Sequence, residues 1–291
     1  MTNDNEKIRR LTVKIPTLAT GFTSDKGKNR MRPHLLLIDA LNLIRRVHAA
    51  VRAPDEDSQV DGAISATLSS LTRAIKETAP SHCLMVFDGN PPTWRHALFP
   101  DYKKGRKPMP EPLRKRLGDF NRAFLNMGVK TFRKSGLEAD DVIAAVACKA
   151  SKADIETTIL STDRIFLQLL SAPQIRLRDH FQKCDYQGES VQNLYGFGAD
   201  RLTQFWAMAG VGDVPGVQGV GDKGATSLIL EHQEISNIFL LDEEAKGAAG
   251  KVVRQKDLAL LSLKLATLAC DLEVGVRMRD LRYVPASGEA G

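Results

Sequence analysis

Gly136-Leu137-Glu138-Ala139-Asp140-Asp141-Val142-Ile143, continued to Thr158-Ile159-Leu160-Ser161-Thr162-Asp163, is the stretch on which the reading of this chain turns. It predicts a loop, a helix with three acids in its first turn, a polar link, and a strand ending on a fourth acid. Two earlier apolar runs end the same way: Leu35-Leu36-Leu37-Ile38-Asp39 and Leu84-Met85-Val86-Phe87-Asp88. In an open α/β sheet the carboxyl ends of parallel strands share one edge, and ligands bind there. Asp39, Asp88, Glu138, Asp140, Asp141 and Asp163 are therefore expected to converge. Six carboxylates in one pocket oppose each other's ionisation unless cations join them. Hard oxygen donors without matching His or Cys point to Mg²⁺ or Mn²⁺ rather than zinc. Acids in a first helical turn also complement the helix dipole, by about 0.3–1 kcal/mol each when exposed. The strand-end acids on either side favour the metal site.

Outward from this stretch, strand 34–39 is continuously apolar, as a strand covered on both faces should be. A helical stretch over 41–47 follows, then a polar loop over 51–62. Ile64, Leu68, Leu71 and Ile75 stand at helical spacing within 63–78. Strand 83–88, helix 113–127 with its stop at Gly128, and a short strand near 129–132 lead into the central stretch. Beyond Asp163 an amphipathic helix starts at Phe166, and one or two edge strands fall within 174–186. This alternation predicts an α/β fold with a mainly parallel central sheet flanked by helices.

The chain has 291 residues, 43% of them apolar, enough for a sizeable core. Its apolar runs fall far short of the ~20 residues that cross a bilayer, and the N-terminus shows no apolar signal region. Cys83, Cys148, Cys184 and Cys270 are widely spaced, without C-x-x-C. They are expected to be buried thiols in a reducing cytoplasm. Residues 1–33 read as a disordered arm, in which Arg9, Arg10, Lys14, Lys26, Lys28, Arg30 and Arg32 could touch phosphates weakly. Met31 directly precedes the first strand and is a possible start. A net charge of +6 allows a nucleic-acid partner without requiring one.

Charge distribution is more telling. Residues 91–117 carry nine of the basic residues between Arg95 and Arg116, interleaved with Trp94, Phe99 and Tyr102 and broken by six prolines. Such a segment beside an acidic pocket suits an element that grips a polyanion, cations on phosphates and aromatics on bases. From about 195 short helical pieces flank a glycine-rich run, Gly210-Val211-Gly212-Asp213-Val214-Pro215-Gly216-Val217-Gln218-Gly219-Val220-Gly221-Asp222-Lys223-Gly224. Gly219, Gly221 and Gly224 mimic a dinucleotide fingerprint, but no strand precedes them. A helix–hairpin–helix fits better. Its glycines bring backbone close to phosphate oxygens, the next helix offers free amides, and Lys223 adds charge.

Taken together, these residues resemble the 5′-nuclease (flap endonuclease) superfamily over nearly all of 34–280, and within it the bacterial exonuclease IX-like branch. The resemblance rests on His34 through Arg46, Trp94-Arg95-His96, Pro100-Asp101-Tyr102-Lys103 with Arg106, Glu138-Ala139-Asp140-Asp141, Ser161-Thr162-Asp163, and Val214-Pro215-Gly216-Val217-x-Gly219-Val220-Gly221. It implies a PIN-like nuclease domain over 34–195 with a helical arch near 90–117. It also implies a helix–three-turn–helix domain for duplex DNA over 196–285, and a tail at 286–291. Asp39, Asp88, Glu138, Asp140 and Asp141 would then hold or support a first Mg²⁺ or Mn²⁺, and Asp163 would be shared with a second ion. Lys103 and Arg106 match arch cations on the scissile phosphate, Arg46 matches a basic residue under the arch, and Tyr102 is a candidate for base stacking. The hairpin, with Val214, Gly216, Val217, Gly219, Val220, Gly221 and Lys223, resembles one that binds K⁺ through carbonyls while touching duplex phosphate.

Two departures from the superfamily pattern stand out. Ile165 occupies the position of a further acid, and the loop before Val214 is shortened, keeping at most Asp213. Both predict a weakened second metal site. The expected activity is Mg²⁺-dependent, structure-selective cleavage of DNA with 5′ flaps or branches, by a monomer with no membrane contact. The alternatives are a non-catalytic binder of branched DNA and a nuclease directed at RNA. An aspartyl phosphatase is disfavoured, because neither Asp39 nor Asp88 has a second acid two residues on.

Overall fold

A computed structural model describes residues 32–285. The expected N-terminal arm, up to Met31, and the tail at 286–291 lie outside the described residues. The chain enters through β1 (His34–Asp39), α1 (Ala40–Ala50), α2 (Glu56–Thr78) and β2 (His82–Phe87). Two short helices, α3 (Trp94–Leu98) and α4 (Glu111–Lys115), bracket a turn-rich stretch; α5 (Leu117–Asn126) and β3 (Lys130–Arg133) follow. Next come α6 (Ala139–Lys152), β4 (Glu156–Leu160), a 3₁₀ segment (Arg164–Ser171), β5 (Ile175–Asp179) and β6 (Cys184–Tyr186). The remainder is helical: α7 (Gly188–Tyr195), α8 (Leu202–Ala209), α9 (Asp222–His232), α10 (Ile235–Ile238), α11 (Gly247–Arg254) and α12 (Lys256–Ala266).

The six strands form one sheet in the order β3-β2-β1-β4-β5-β6, parallel except for β6. The order reverses between β1 and β4, which opens a crevice at their carboxyl ends. Side chains alternate across β1. Leu36 and Ile38 join the core under α1, α2 and α5, while Leu35 and Leu37 face the core built on α6. That second core continues without interruption through Phe166 and Leu170 to Phe205, Trp206, Ile229 and Leu265. The helical region after residue 195 therefore shares a core with the sheet, and the described residues form one compact unit.

Several local expectations change. The supposed loop at 51–62 is helical from Glu56, because Asp55 caps the helix by accepting from the Ser58 amide (2.8 Å) and hydroxyl (2.8 Å). The thiols are not uniformly buried. Cys83 is, but Cys148, Cys184 and Cys270 are partly exposed, and Cys148 and Cys270 hydrogen-bond to each other. No helix among the described residues is long and apolar enough to cross a membrane.

Candidate active site

Asp39 ends β1 and caps α1, its Oδ1 accepting from the Asn42 amide (3.0 Å) and its Oδ2 from the Ser161 hydroxyl (3.1 Å). Asn42 in turn accepts from the amide (3.1 Å) and hydroxyl (3.0 Å) of Thr162. The ends of β1 and β4 are thus zipped together across the switch point. Asp163 follows, its Oδ1 accepting from the Ile165 amide (2.9 Å). On the other side of β1, Asp88 accepts from Ala139 at the start of α6 (2.8 Å). Gly89 makes this approach possible: a Cβ there would lie 2.0 Å from the Lys134 carbonyl oxygen.

Four of the six predicted acids act on one another. Burial, then repulsion from Asp88 and Asp163, pushes Asp39 up to about 7 against the opposing pull of its hydrogen bonds. Asp140 is raised well above the carboxylate range by removal from water and by Asp39, Asp163 and Asp88. Lys103 pulls it the other way. Among the described residues, no three acid, His or Cys side chains are drawn into a ready-made ligand cage. The donor chemistry still fits a hard divalent cation, which would relieve the repulsion that raises Asp39 and Asp140.

The other two acids are turned to different work. Asp141, fully buried, forms a two-pronged ion pair with Arg95 (2.7 and 3.0 Å) and accepts from Trp94 Nε1 (2.9 Å) and the Ala269 amide (3.1 Å). It supports the site rather than facing into it. Arg95, 2% exposed, also donates to Glu138 (3.0 Å) and to the carbonyl oxygens of Leu265 (2.9 Å) and Thr267 (3.4 Å). This corrects the reading of Trp94 and Arg95 as part of a polyanion grip. Pattern alone could not single them out, because they sit in a run of basic and aromatic residues and their partners are far away in sequence.

Glu138 lies between the two groups. Its Oε2 accepts from Arg95 and from the Tyr102 hydroxyl (3.2 Å), and its Oε1 meets the Lys103 ammonium at 2.9 Å. Tyr102 is only 9% exposed, with His96 against its edge and Lys103 over its ring. The expected base stacking gives way to a place in the wall of the acid pocket, because the ring is buried and its hydroxyl is bound to Glu138. Lys103 adopts a left-handed backbone (φ 61°) within successive turns. Such strain in a non-glycine residue is characteristic of functional sites. Arg106 reaches the shortened loop, where Asp213 Oδ2 accepts from its Nε (2.7 Å) and forms an ion pair with its Nη2 at 2.6 Å. Arg46 is exposed on α1, 5.8 Å from the Phe181 ring, which ties it to the turn after β5. Ile165 packs against the core.

In the hairpin, Val214, Val217 and Val220 are buried anchors, so only their backbone can meet a ligand. Gly216 has φ +67°, and a Cβ there would lie 2.4 Å from the Gly210 nitrogen. Gly219 offers its carbonyl oxygen to Lys251 (2.8 Å), while Gly221 and Lys223 are exposed at the start of α9.

An acid cluster at the switch point, a lysine delivered from a loop, and an attached hairpin together narrow the choice of families. Residues 34–196 match the N-terminal, resolvase-like domain of 5′-3′ exonucleases, and residues 198–289 match their C-terminal SAM fold. The chain belongs to the 5′-3′ exonuclease family. Relatives within reach of this member include the flap endonuclease Xni of Aeromonas hydrophila, 37% identical over 262 residues (88% of this chain, 97% of that protein). The flap endonuclease Xni of Pectobacterium carotovorum is 38% identical over 257 residues (87% and 95%). Solved structures share the exonuclease fold at lower identity. The T5 5′-exonuclease with divalent zinc bound superposes with TM-score 0.69 at 21% identity, covering 81% of this chain and 90% of that one. The catalytic core of Rad2 in complex with DNA substrate gives 0.56 at 15%, covering 87% and 82%.

Proposed function

We propose that this member of the 5′-3′ exonuclease family is a divalent-metal-dependent, structure-selective 5′-nuclease that hydrolyses phosphodiesters in flapped or branched DNA. The observation that carries the reading is the mutual repulsion of Asp39, Asp88, Asp140 and Asp163 at the switch point, with the Lys103 ammonium inserted beside them. The names of its relatives, flap endonucleases, support the substrate class.

Asp39, Asp140, Glu138 and Asp88 would hold the first ion, Mg²⁺ or Mn²⁺, with Asp163 at the margin toward a second. When bound, such an ion polarises a phosphoryl oxygen and lowers the pKa of attacking water. The chain's own groups do the rest. Lys103 balances Glu138 and would supply positive charge at the scissile phosphate. Arg106 adds a second positive charge three residues on. Arg95 and Tyr102 fix the Glu138 carboxylate, and Asn42 with Ser161 fixes Asp39. The exposed amides from Gly221 onward, with Lys223, would seat a duplex phosphate. K⁺ on the hairpin carbonyls belongs to the same proposal and would show as dependence of duplex affinity on K⁺ over other monovalent ions.

The test is cleavage of an end-labelled 5′-flap duplex with Mg²⁺, with Mn²⁺ or with EDTA, alongside Asp140→Ala. Metal-dependent cutting near the junction, lost in the variant while flap binding persists, is expected. Wild-type cleavage by Asp140→Ala would mean the site is misassigned. Ile165 in place of an acid favours one competing reading, a branched-DNA binder that does not cut. Tight flap binding without cleavage under any metal would establish it.

A further inference from the structure

The shortened loop before the hairpin carries one acid, Asp213, which the sequence pattern leaves open between a metal ligand and the asparagine of that loop. The loop is a tight turn. Val211 and Val214 pair with each other through both amides (3.2 and 2.8 Å), and Gly212 takes φ +55° between them. Asp213 is presented next to it, and its side chain is 19% exposed. Its Oδ2 accepts a charge-assisted hydrogen bond from Arg106 Nε (2.7 Å) and lies 2.6 Å from Nη2 of the same guanidinium. Contacts of this length to a single oxygen engage it fully.

We propose that Asp213 is a positioning residue for the arch cation Arg106, not a metal ligand, and that it ties the arch to the hairpin domain. The proposal rests on the nuclease reading above for what Arg106 does. The tie itself is a property of the free protein. Arg106 has five N–H donors, of which Nε–H is given to Asp213 while Nη2 lies in ion-pair contact with the same oxygen. The guanidinium edge turned away from Asp213 stays available to a phosphate oxygen, its side chain being half exposed. Three residues earlier, Lys103 is held by Glu138 at the sheet edge. The arch turn is therefore pinned at both of its catalytic cations, one to the metal centre and one to the duplex-binding region. Pre-setting the guanidinium removes ordering that substrate binding would otherwise have to supply.

The experiment uses the full chain as wild type, Asp213→Asn, Asp213→Glu, Arg106→Gln, and the Asp213→Asn/Arg106→Gln double variant. Flap cleavage is measured as single-turnover rate, KM and Mg²⁺ dependence, and trypsin cutting after Lys104 and Arg106 is timed without DNA. Asp213→Asn should cut about tenfold more slowly with KM little changed. The Mg²⁺ concentration for half-maximal rate should stay the same, and Asp213→Glu should recover part of the loss. Adding Asp213→Asn to Arg106→Gln should cost nothing further. Trypsin should cut the Asp213→Asn arch faster than wild type. A tenfold or larger rise in the Mg²⁺ requirement, persisting in the Arg106→Gln background, would make Asp213 a ligand and overturn the proposal. Unchanged proteolysis and unchanged turnover would reduce the pair to a surface contact and overturn it too. If the wild type cuts no flap under any metal, the nuclease reading falls, and the trypsin comparison still decides the tie.

Discussion

Replacing Arg95 by methionine tests the least visible part of the site. The guanidinium is buried, stacks 4.3 Å from the centre of the Trp94 ring, and satisfies Asp141, Glu138 and two carbonyl oxygens. Methionine keeps much of the stem's bulk but leaves buried Asp141 without its cation and Glu138 with Lys103 alone. Removing one partner of a buried pair costs about 3–5 kcal/mol, a large share of the roughly 5–15 kcal/mol that stabilises a domain. Unfolding in urea should show the loss as a lower midpoint at unchanged slope, and the melting temperature should fall by on the order of 10 °C. The measurement belongs in EDTA, so that altered metal binding does not contribute. A double variant, Arg95→Met with Asp141→Leu, should recover part of the loss, because the charge left stranded is then gone as well. A loss below about 1 kcal/mol for Arg95→Met, typical of an exposed ion pair, would refute the reasoning.

Three further outcomes follow from the same geometry. Lys103→Ala should slow flap cleavage by about a hundredfold with little change in flap affinity, since Lys103 faces Glu138 and Asp140 rather than the hairpin; equal losses in both would contradict this. In the metal-free protein Asp39 and Asp140 are raised, so the folded state keeps protons that the unfolded chain releases above about pH 4. Their contribution to stability is present below that pH and is lost as pH rises through about 7 for Asp39. Mg²⁺ should consequently raise the melting temperature more at pH 8 than at pH 5.5, and equal shifts at the two values would refute the linkage. Gly216→Ala should abolish salt-sensitive duplex binding in an anisotropy titration, because its Cβ would collide with backbone at Gly210 in a turn that needs positive φ; normal binding would show that the hairpin is not the contact.

Much of this protein is legible locally. Apolar runs ending in Asp39, Asp88 and Asp163, with acids opening the helix between them, specify parallel strands and one acidic edge. That follows because strand direction and the two-residue side-chain period are properties of short segments. The glycines and valines of 214–221 likewise announce a tight hairpin, since only glycine tolerates the close approach at residue 216. The sorting of the acids is another matter. Asp140 and Asp141 are adjacent, yet one joins the repelling cluster and the other is matched by Arg95, 46 residues away, and by the Ala269 amide, 128 away. Residue type says that each is a carboxylate, and neither neighbours nor spacing say which cation will reach it. The same holds for Tyr102, whose place in an aromatic, basic segment suggests stacking until Glu138 claims its hydroxyl. It holds also for Asp213, whose partner Arg106 lies 107 residues earlier. The sequence by itself determined the sheet, its acidic edge and the hairpin. Only the tertiary structure decided which charges face the site and which are neutralised behind it, because pairing of buried charges depends on distances set by the whole fold.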